Sequence, residues 1–130
     1  MYHCPFSDMS GFFIKHVQSG KCVYDIAGDL KLLHSWNCFD VQTNFKFLPS
    51  GSIMKLQTNY CLVRRGHRSG LVLSYGNING GCGAINAITQ TFWGGLFYSR
   101  SNKCIKAKSR FSLRLKNCSD KEDQRFNFGK

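Results

Sequence analysis

Asp25 and Trp36 lie in a segment bounded by two cysteines, the acid three residues after Cys22 and the indole two before Cys38. An ionised carboxylate accepts hydrogen bonds from vicinal hydroxyls, and a flat aromatic face covers the apolar side of a ring. Together they are what a shallow site for a neutral sugar needs. His34, close to Trp36, and Gln42 and Asn44, just before Phe45, add polar groups to the same segment. The plainer alternative is a turn aspartate, a core tryptophan and a surface histidine.

The stretch after Cys61 offers a different chemistry. Arg64 and Arg65 take the place of the acid, with Tyr75 as a platform and Asn77 near it. A sulfate or a carboxylate would gain bidentate donors there, while a neutral galactoside would lose its acceptor; a solvated Arg-Arg turn is the plainer alternative. After Cys104 come Lys106 and Lys108, and Lys116 stands where an aromatic residue would be needed. That segment suits no neutral sugar, and its basic residues are either ordinary surface charge or a patch for sulfated polysaccharide.

The net charge of +11 is uneven along the chain. Residues 1–51 hold four Lys/Arg and four Asp/Glu, residues 52–95 four and none, and residues 96–130 ten and three. The C-terminal part is therefore suited to anions. Other chemistries lack their residues. The seven cysteines include no Cys-x-x-Cys pair and no cluster has metal-ligand spacing, and "NGGCG" at 79–83 lacks the lysine and helix of a phosphate loop. No metal, no cofactor and no nucleic-acid partner is expected. His3, His16, His34 and His67 could serve acid–base catalysis in a small basic secreted ribonuclease. They fall at unrelated positions of the repeat described next, so a non-enzymatic protein is the expectation. No stretch approaches the ~18 apolar residues of a membrane span, so no membrane insertion is expected. Residues 1–10 have neither a basic start nor an apolar run, which leaves a removed signal peptide or unconventional export for an extracellular protein.

Such residues must be held by a scaffold, and the chain repeats itself. "IKHVQSGKCV", "MKLQTNYCLV" and "LFYSRSNKCI" lead into Cys22, Cys61 and Cys104, which lie 39 and 43 residues apart. Each is followed by an apolar alternation ("LKLLHSW", "GLVLSY", "FSLRLKN") and by an ending rich in aromatics ("NFKF", "QTFW", "QRFNF"). Period-two alternation between short turns predicts about four strands per unit, and three units predict an all-β, closed trefoil in a single domain, with repeats at about 11–51, 52–95 and 96–128. Cys38, Cys82 and Cys118 follow the first cysteines by 16, 21 and 14 residues, so each unit is expected to close its own loop with a disulfide, in an oxidising compartment. Cys4 is left over, to be free, bonded to another chain, or paired internally if one staple is misassigned.

Taken together these features resemble the ricin-type (R-type) β-trefoil lectin family, whose three subdomains each carry a cysteine pair and a Gln-x-Trp motif. "DQRFNF" at 123–128 matches that motif with Phe for Trp, "TQTFW" matches loosely, and "TNFKF" has Thr43 in place of Gln. The resemblance implies a lectin for galactose or N-acetylgalactosamine-type glycans of glycoproteins or glycolipids, acting through the first repeat. One departure is that the family's acid follows the cysteine by two residues, a position held here by Tyr24; strand pleat alone would turn Asp25 the wrong way unless a bulge at Ile26-Ala27-Gly28 restored it. "FIKHVQSGKC" and "LLHS" are also similar to mussel galactose-binding trefoil lectins, but "YDIAG" replaces their His-Pro-x-Gly-Gly, so those sugar-binding histidines do not carry over. Resemblance of fold to the mannose receptor cysteine-rich domain and to fibroblast growth factors implies the alternative, a binder of sulfated or sialylated glycans through Arg64, Arg65, Arg68, Lys106 and Lys108. Single shallow sites bind sugars at about mM, so cross-linking by one good site would need a homodimer through Cys4 or an apolar face.

Overall fold

The structure is a computed structural model. It describes residues 11–26, 28–33, 38, 44–48, 51–58, 60–64, 88–98, 100–107 and 113–129, and the backbone of 71–75. Alternating apolar side chains over three to five residues, broken by turns, produce twelve short strands there. The first repeat supplies β1 (Phe13–His16), β2 (Cys22–Ile26), β3 (Asp29–Leu33) and β4 (Phe45–Phe47). The second supplies β5 (Ile53–Lys55), β6 (Tyr60–Arg64), β7 (Leu71–Tyr75) and β8 (Ile88–Gln90). The third supplies β9 (Leu96–Tyr98), β10 (Lys103–Ala107), β11 (Leu113–Asn117) and β12 (Phe126–Gly129), with one 3₁₀ turn at Glu122–Gln124.

Each repeat lends its last strand to the first strand of the next. β4 pairs with β5, β8 with β9 and β12 with β1, all antiparallel, setting Phe45 opposite Lys55, Ile88 opposite Tyr98 and Phe126 opposite His16. Bonds between these hairpins close the ring. Phe12 and Phe45 exchange backbone hydrogen bonds at 2.7 Å, Ser52 bridges Thr89, and the Phe126 N–H donates to the Gly94 carbonyl at 2.9 Å. The result is a six-stranded barrel of β1, β4, β5, β8, β9 and β12. A closed ring leaves few unpaired strand edges. The hairpins β2–β3, β6–β7 and β10–β11 form a second layer, joined in part by Asp29 of β3 against Val72 of β7.

The core follows the same threefold order. Ile14, Ile53 and Leu96 occupy one equivalent position, Phe45, Ile88 and Phe126 a second, and Val23, Leu62 and Ile105 a third; all nine are buried in one cluster. Outside it, Cys22 and Cys38 pack with Tyr24, Phe13 and Leu33 on the other face of β2. Cys22–Cys38 and Cys104–Cys118 close loops inside the first and third repeats, as expected. Cys61 is also disulfide-bonded; its expected partner Cys82, like Cys4, lies outside the described residues.

Two of the three motif endings behave unlike each other. In the third repeat Gln124 is buried, accepts the Ser119 N–H at 2.9 Å and donates to the Asn117 carbonyl at 2.8 Å, tying the 3₁₀ turn to the end of β11 beside Cys118. In the second repeat the residue equivalent to Phe45 and Phe126 is Ile88, not Phe92. "TFWGG" is a turn after β8, with the Thr91 N–H on the Gly95 carbonyl at 2.9 Å, the Gly94 N–H on the Thr91 carbonyl at 3.2 Å and the Gly95 N–H on Thr91 Oγ1 at 2.7 Å. Gly94 adopts φ 93°, as Gly51 adopts φ 92° in the matching turn after β4, a conformation that favours glycine. The loose motif match thus reads four residues out of register.

Two substitutions of one residue type separate these roles. Phe45→Ala, in the core, is expected to lower the unfolding free energy by about 3–5 kcal/mol, while Phe92→Ala, at 100% exposure, leaves it within about 0.5 kcal/mol. Urea unfolding of both variants checks this. Gln124→Leu, which leaves the Ser119 N–H and the Asn117 carbonyl without their partner, is expected to cost about 1–3 kcal/mol in the same assay.

Candidate functional site

β2 and β3 stay in register to their ends, with Asp25 opposite Leu30 and Ile26 opposite Asp29. No bulge interrupts this pairing up to Ile26 and Asp29. Gly28, at φ 90°, makes the tight turn. Asp25 therefore keeps the face of Val23, away from Cys22, Tyr24 and the disulfide. There its carboxylate is held from two sides: Oδ1 accepts the Gly28 N–H at 2.7 Å and Oδ2 accepts Lys55 Nζ at 2.7 Å. Lys55 belongs to the second repeat, and its side chain and that of Asp25 are 14% and 16% exposed.

Threefold equivalence explains why Lys55 is the partner. Six residues before Cys22, Cys61 and Cys104 stand His16, Lys55 and Tyr98; three residues after them stand Asp25, Arg64 and Ala107. The residue three after the cysteine in one repeat meets, in the next, the residue six before it. At the first junction this is the Asp25–Lys55 ion pair. At the second, the Arg64 guanidinium lies 5.7 Å from the centroid of the buried Tyr98 ring, a cation–π geometry. At the third, the corresponding positions hold Ala107 and His16, which carry no such pair. His16 is 1% exposed, with Nε2 bonded to the Asp123 carbonyl at 2.8 Å and Nδ1 to Ser19 Oγ at 2.8 Å. A carbonyl only accepts, so Nε2 donates, and Nδ1 also accepts the Ser19 N–H at 3.3 Å. Both ring nitrogens are thus occupied in the fold, which removes His16 from the acid–base alternative.

The first junction can do hydroxyl chemistry. A carboxylate has about four lone-pair sites and an ammonium three protons, and the contacts of this pair use only part of both. A sugar hydroxyl donates and accepts at once, so an adjacent acceptor and donor match a vicinal diol. Asn44 meets this region through its backbone: its carbonyl accepts the Leu56 N–H at 3.2 Å, while strand pleat turns its side chain to the face opposite that of Phe45 and Lys55. Of the expected first-repeat residues the structure places Asp25 at this junction, with the Asn44 backbone one pair further along β5. His34, Trp36 and Gln42 lie outside the described residues. Lys55 is absent from the site expected from sequence, although its place six residues before Cys61 was a usable signal.

Of the second group, Arg64 and the backbone of Tyr75 are described. Arg64 pairs with Leu71 at one end of the β6–β7 hairpin and Tyr75 with Tyr60 at the other, four residues apart, or roughly 13 Å along a strand. Arg65, Arg68 and Asn77 lie outside the described residues, as does Lys108. Arg64 has no acidic partner among the described residues, and its Nε is buried without a hydrogen bond. In the third repeat Lys106 reaches Asp123 at 3.4 Å, and Lys116 stands opposite Cys104 on β11. Among the described residues no group of three or more His, Cys, Asp or Glu could hold a metal ion.

No protein-family model matches the sequence, and no curated protein matches it. Solved structures do. The chain superposes on GalNAc-T7 solved with UDP, GalNAc and Mn2+ at a TM-score of 0.74 and 14% identity, over 90% of this chain but only 21% of that one. It matches the C-half of the earthworm R-type lectin solved with GalNAc at a TM-score of 0.70 and 11% identity, covering 91% of this chain and 96% of that one. The BEL β-trefoil matches at a TM-score of 0.67 and 14% identity, covering 91% and 90%. Identities this low carry the fold and nothing finer. The chain is a β-trefoil.

Proposed function

We propose that this protein is a non-enzymatic lectin that binds galactose or N-acetylgalactosamine-type glycans at the junction of its first and second repeats. The observation that carries the reading is the Asp25–Lys55 pair. Of the three equivalent junctions it alone sets a carboxylate beside an ammonium at the surface, where hydroxyls can use both. We assign the apolar platform to Trp36, two residues before the disulfide-bonded Cys38, and further polar groups to His34, Gln42 and Asn44 of the same sequence segment. Lectins among the fold neighbours, one of them solved with GalNAc, support the ligand class. The bonded cysteines support an extracellular location.

A second reading has its own observation. Arg64 lacks an acidic partner among the described residues, and residues 52–95 contain no Asp or Glu. A sulfated or sialylated glycan would find uncompensated charge there, with Arg65 adjacent.

The two readings separate on a glycan array of neutral and anionic glycans run at low and at above-physiological salt. Signals confined to terminal galactosides and indifferent to salt are expected; signals confined to sulfated or sialylated glycans that fade with salt would favour the second reading. On the neutral ligand, Asp25→Asn and Trp36→Ala are each expected to weaken binding by at least about tenfold, or about 1.4 kcal/mol. Titration calorimetry on folded variants checks this, and unchanged affinity in both would exclude the first junction. Lys55→Met is expected to cost about 1–3 kcal/mol of stability, between the range for an exposed pair and that for a buried one, and a thermal melt measures it. Arg64→Ala with Arg65→Ala should leave galactoside binding unchanged and abolish any sulfated-glycan signal.

A further inference from the structure

We infer that the end of the barrel opposite the hairpin layer is a contact surface for a second copy of this chain. β4, β8 and β12 all run toward this end, and Phe47, Gln90 and Phe128 occupy equivalent places near their tips, opposite Ile53, Leu96 and Ile14. Two of the three are phenylalanines, and Phe12 packs against both. The ring centroids lie 4.6 Å apart for Phe12 and Phe47, 5.6 Å for Phe12 and Phe128, and 5.7 Å for Phe47 and Phe128. Phe12 is buried beneath this shelf, while Phe47 remains 39% exposed.

The third position is polar, but the turn that follows Gln90 carries Phe92 at 100% exposure. This side chain stands on a backbone held by the three hydrogen bonds of the turn. Trp93 folds down onto Gly95, where a Cβ would come within 2.5 Å of the indole. One end of the molecule thus presents a fixed aromatic knob and an aromatic shelf.

Charge selects the occupant. In a chain of net charge +11, the described residues of this end, 11–13, 46–48, 51–53, 89–95 and 127–129, include one charged side chain, Lys46. An anionic lipid surface is met by several basic residues beside the aromatics, and among the described residues of this end Lys46 stands alone. Two copies docking end to end place apolar surface on apolar surface and keep their charge apart. A knob and a shelf on one face are self-complementary across a twofold axis, Phe92 of each copy seating on the Phe12, Phe47 and Phe128 shelf of the other.

Sedimentation equilibrium of the full chain carrying Cys4→Ser, with its intra-repeat disulfides intact, excludes a cross-link through Cys4 and tests this without reference to sugar. The expected result is an apparent mass that falls on dilution from twice to once the 14.8 kDa of the chain. Phe92→Asp should raise the dissociation constant at least about tenfold with an unchanged melting temperature at concentrations where both proteins are monomeric, and Phe47→Ser should act in the same direction. A monomer at every concentration would overturn the inference, as would a dimer indifferent to both Phe92→Asp and Phe47→Ser. Cosedimentation of a monomeric chain with phosphatidylserine vesicles, lost in Phe92→Asp, would assign the knob to a membrane instead and overturn it equally.

Discussion

The structure depends on ring closure by strands too short to stand alone. The barrel strands are three or four residues long, and a hairpin of that length is at best marginal in water. Each repeat satisfies its last strand with the first strand of the next, and the bonds at Phe12 and Phe45, at Ser52 and Thr89, and at Gly94 and Phe126 complete the circle. No repeat holds its core by itself. The disulfides act on another level, restricting the loops inside repeats while the barrel strands join one repeat to the next.

Closure also explains where chemical variety can be tolerated. Core positions are related by three and filled alike, with Ile14, Ile53 and Leu96 in one layer and Phe45, Ile88 and Phe126 in another. At the junctions the same geometry receives different pairs, Asp25 with Lys55 and Arg64 with Tyr98, and at the third His16 turns its ring nitrogens to Ser19 and Asp123. A close-packed interior tolerates little change in volume, whereas a rim pair needs only mutual compatibility. Chemical differences among the three repeats are therefore concentrated at the junctions, and the two ends of the barrel differ, one polar at the first junction and one aromatic.

Much of this architecture was legible in the chain. The spacing of Cys22, Cys61 and Cys104, the period-two alternation and the glycine-bearing turns predicted three four-stranded units because each is a local property of the backbone and its pleat. The strands CVYDI, LVLSY and LRLKN fall where the alternation put them. The register of the second ending was not legible. "TQTFW" carries the residue types of the motif, but the glycines after it make a turn, and the less conspicuous Ile88 enters the core. Composition could not rank the two, because burial depends on which residue the neighbouring strand faces.

The sequence by itself determined the fold class, the number of repeats, the two described intra-repeat disulfides and the excess of charge. These follow from periodicity and spacing, which act over a few residues and survive without knowledge of the whole. Tertiary structure alone decided that Asp25 meets Lys55, 30 residues away in the next repeat, and that Arg64 and Tyr75 lie at opposite ends of one hairpin. It also decided that Phe92 stands in water while Phe45 is sealed. Such relations are set by how three units close on one another, and closure is a property of no single segment.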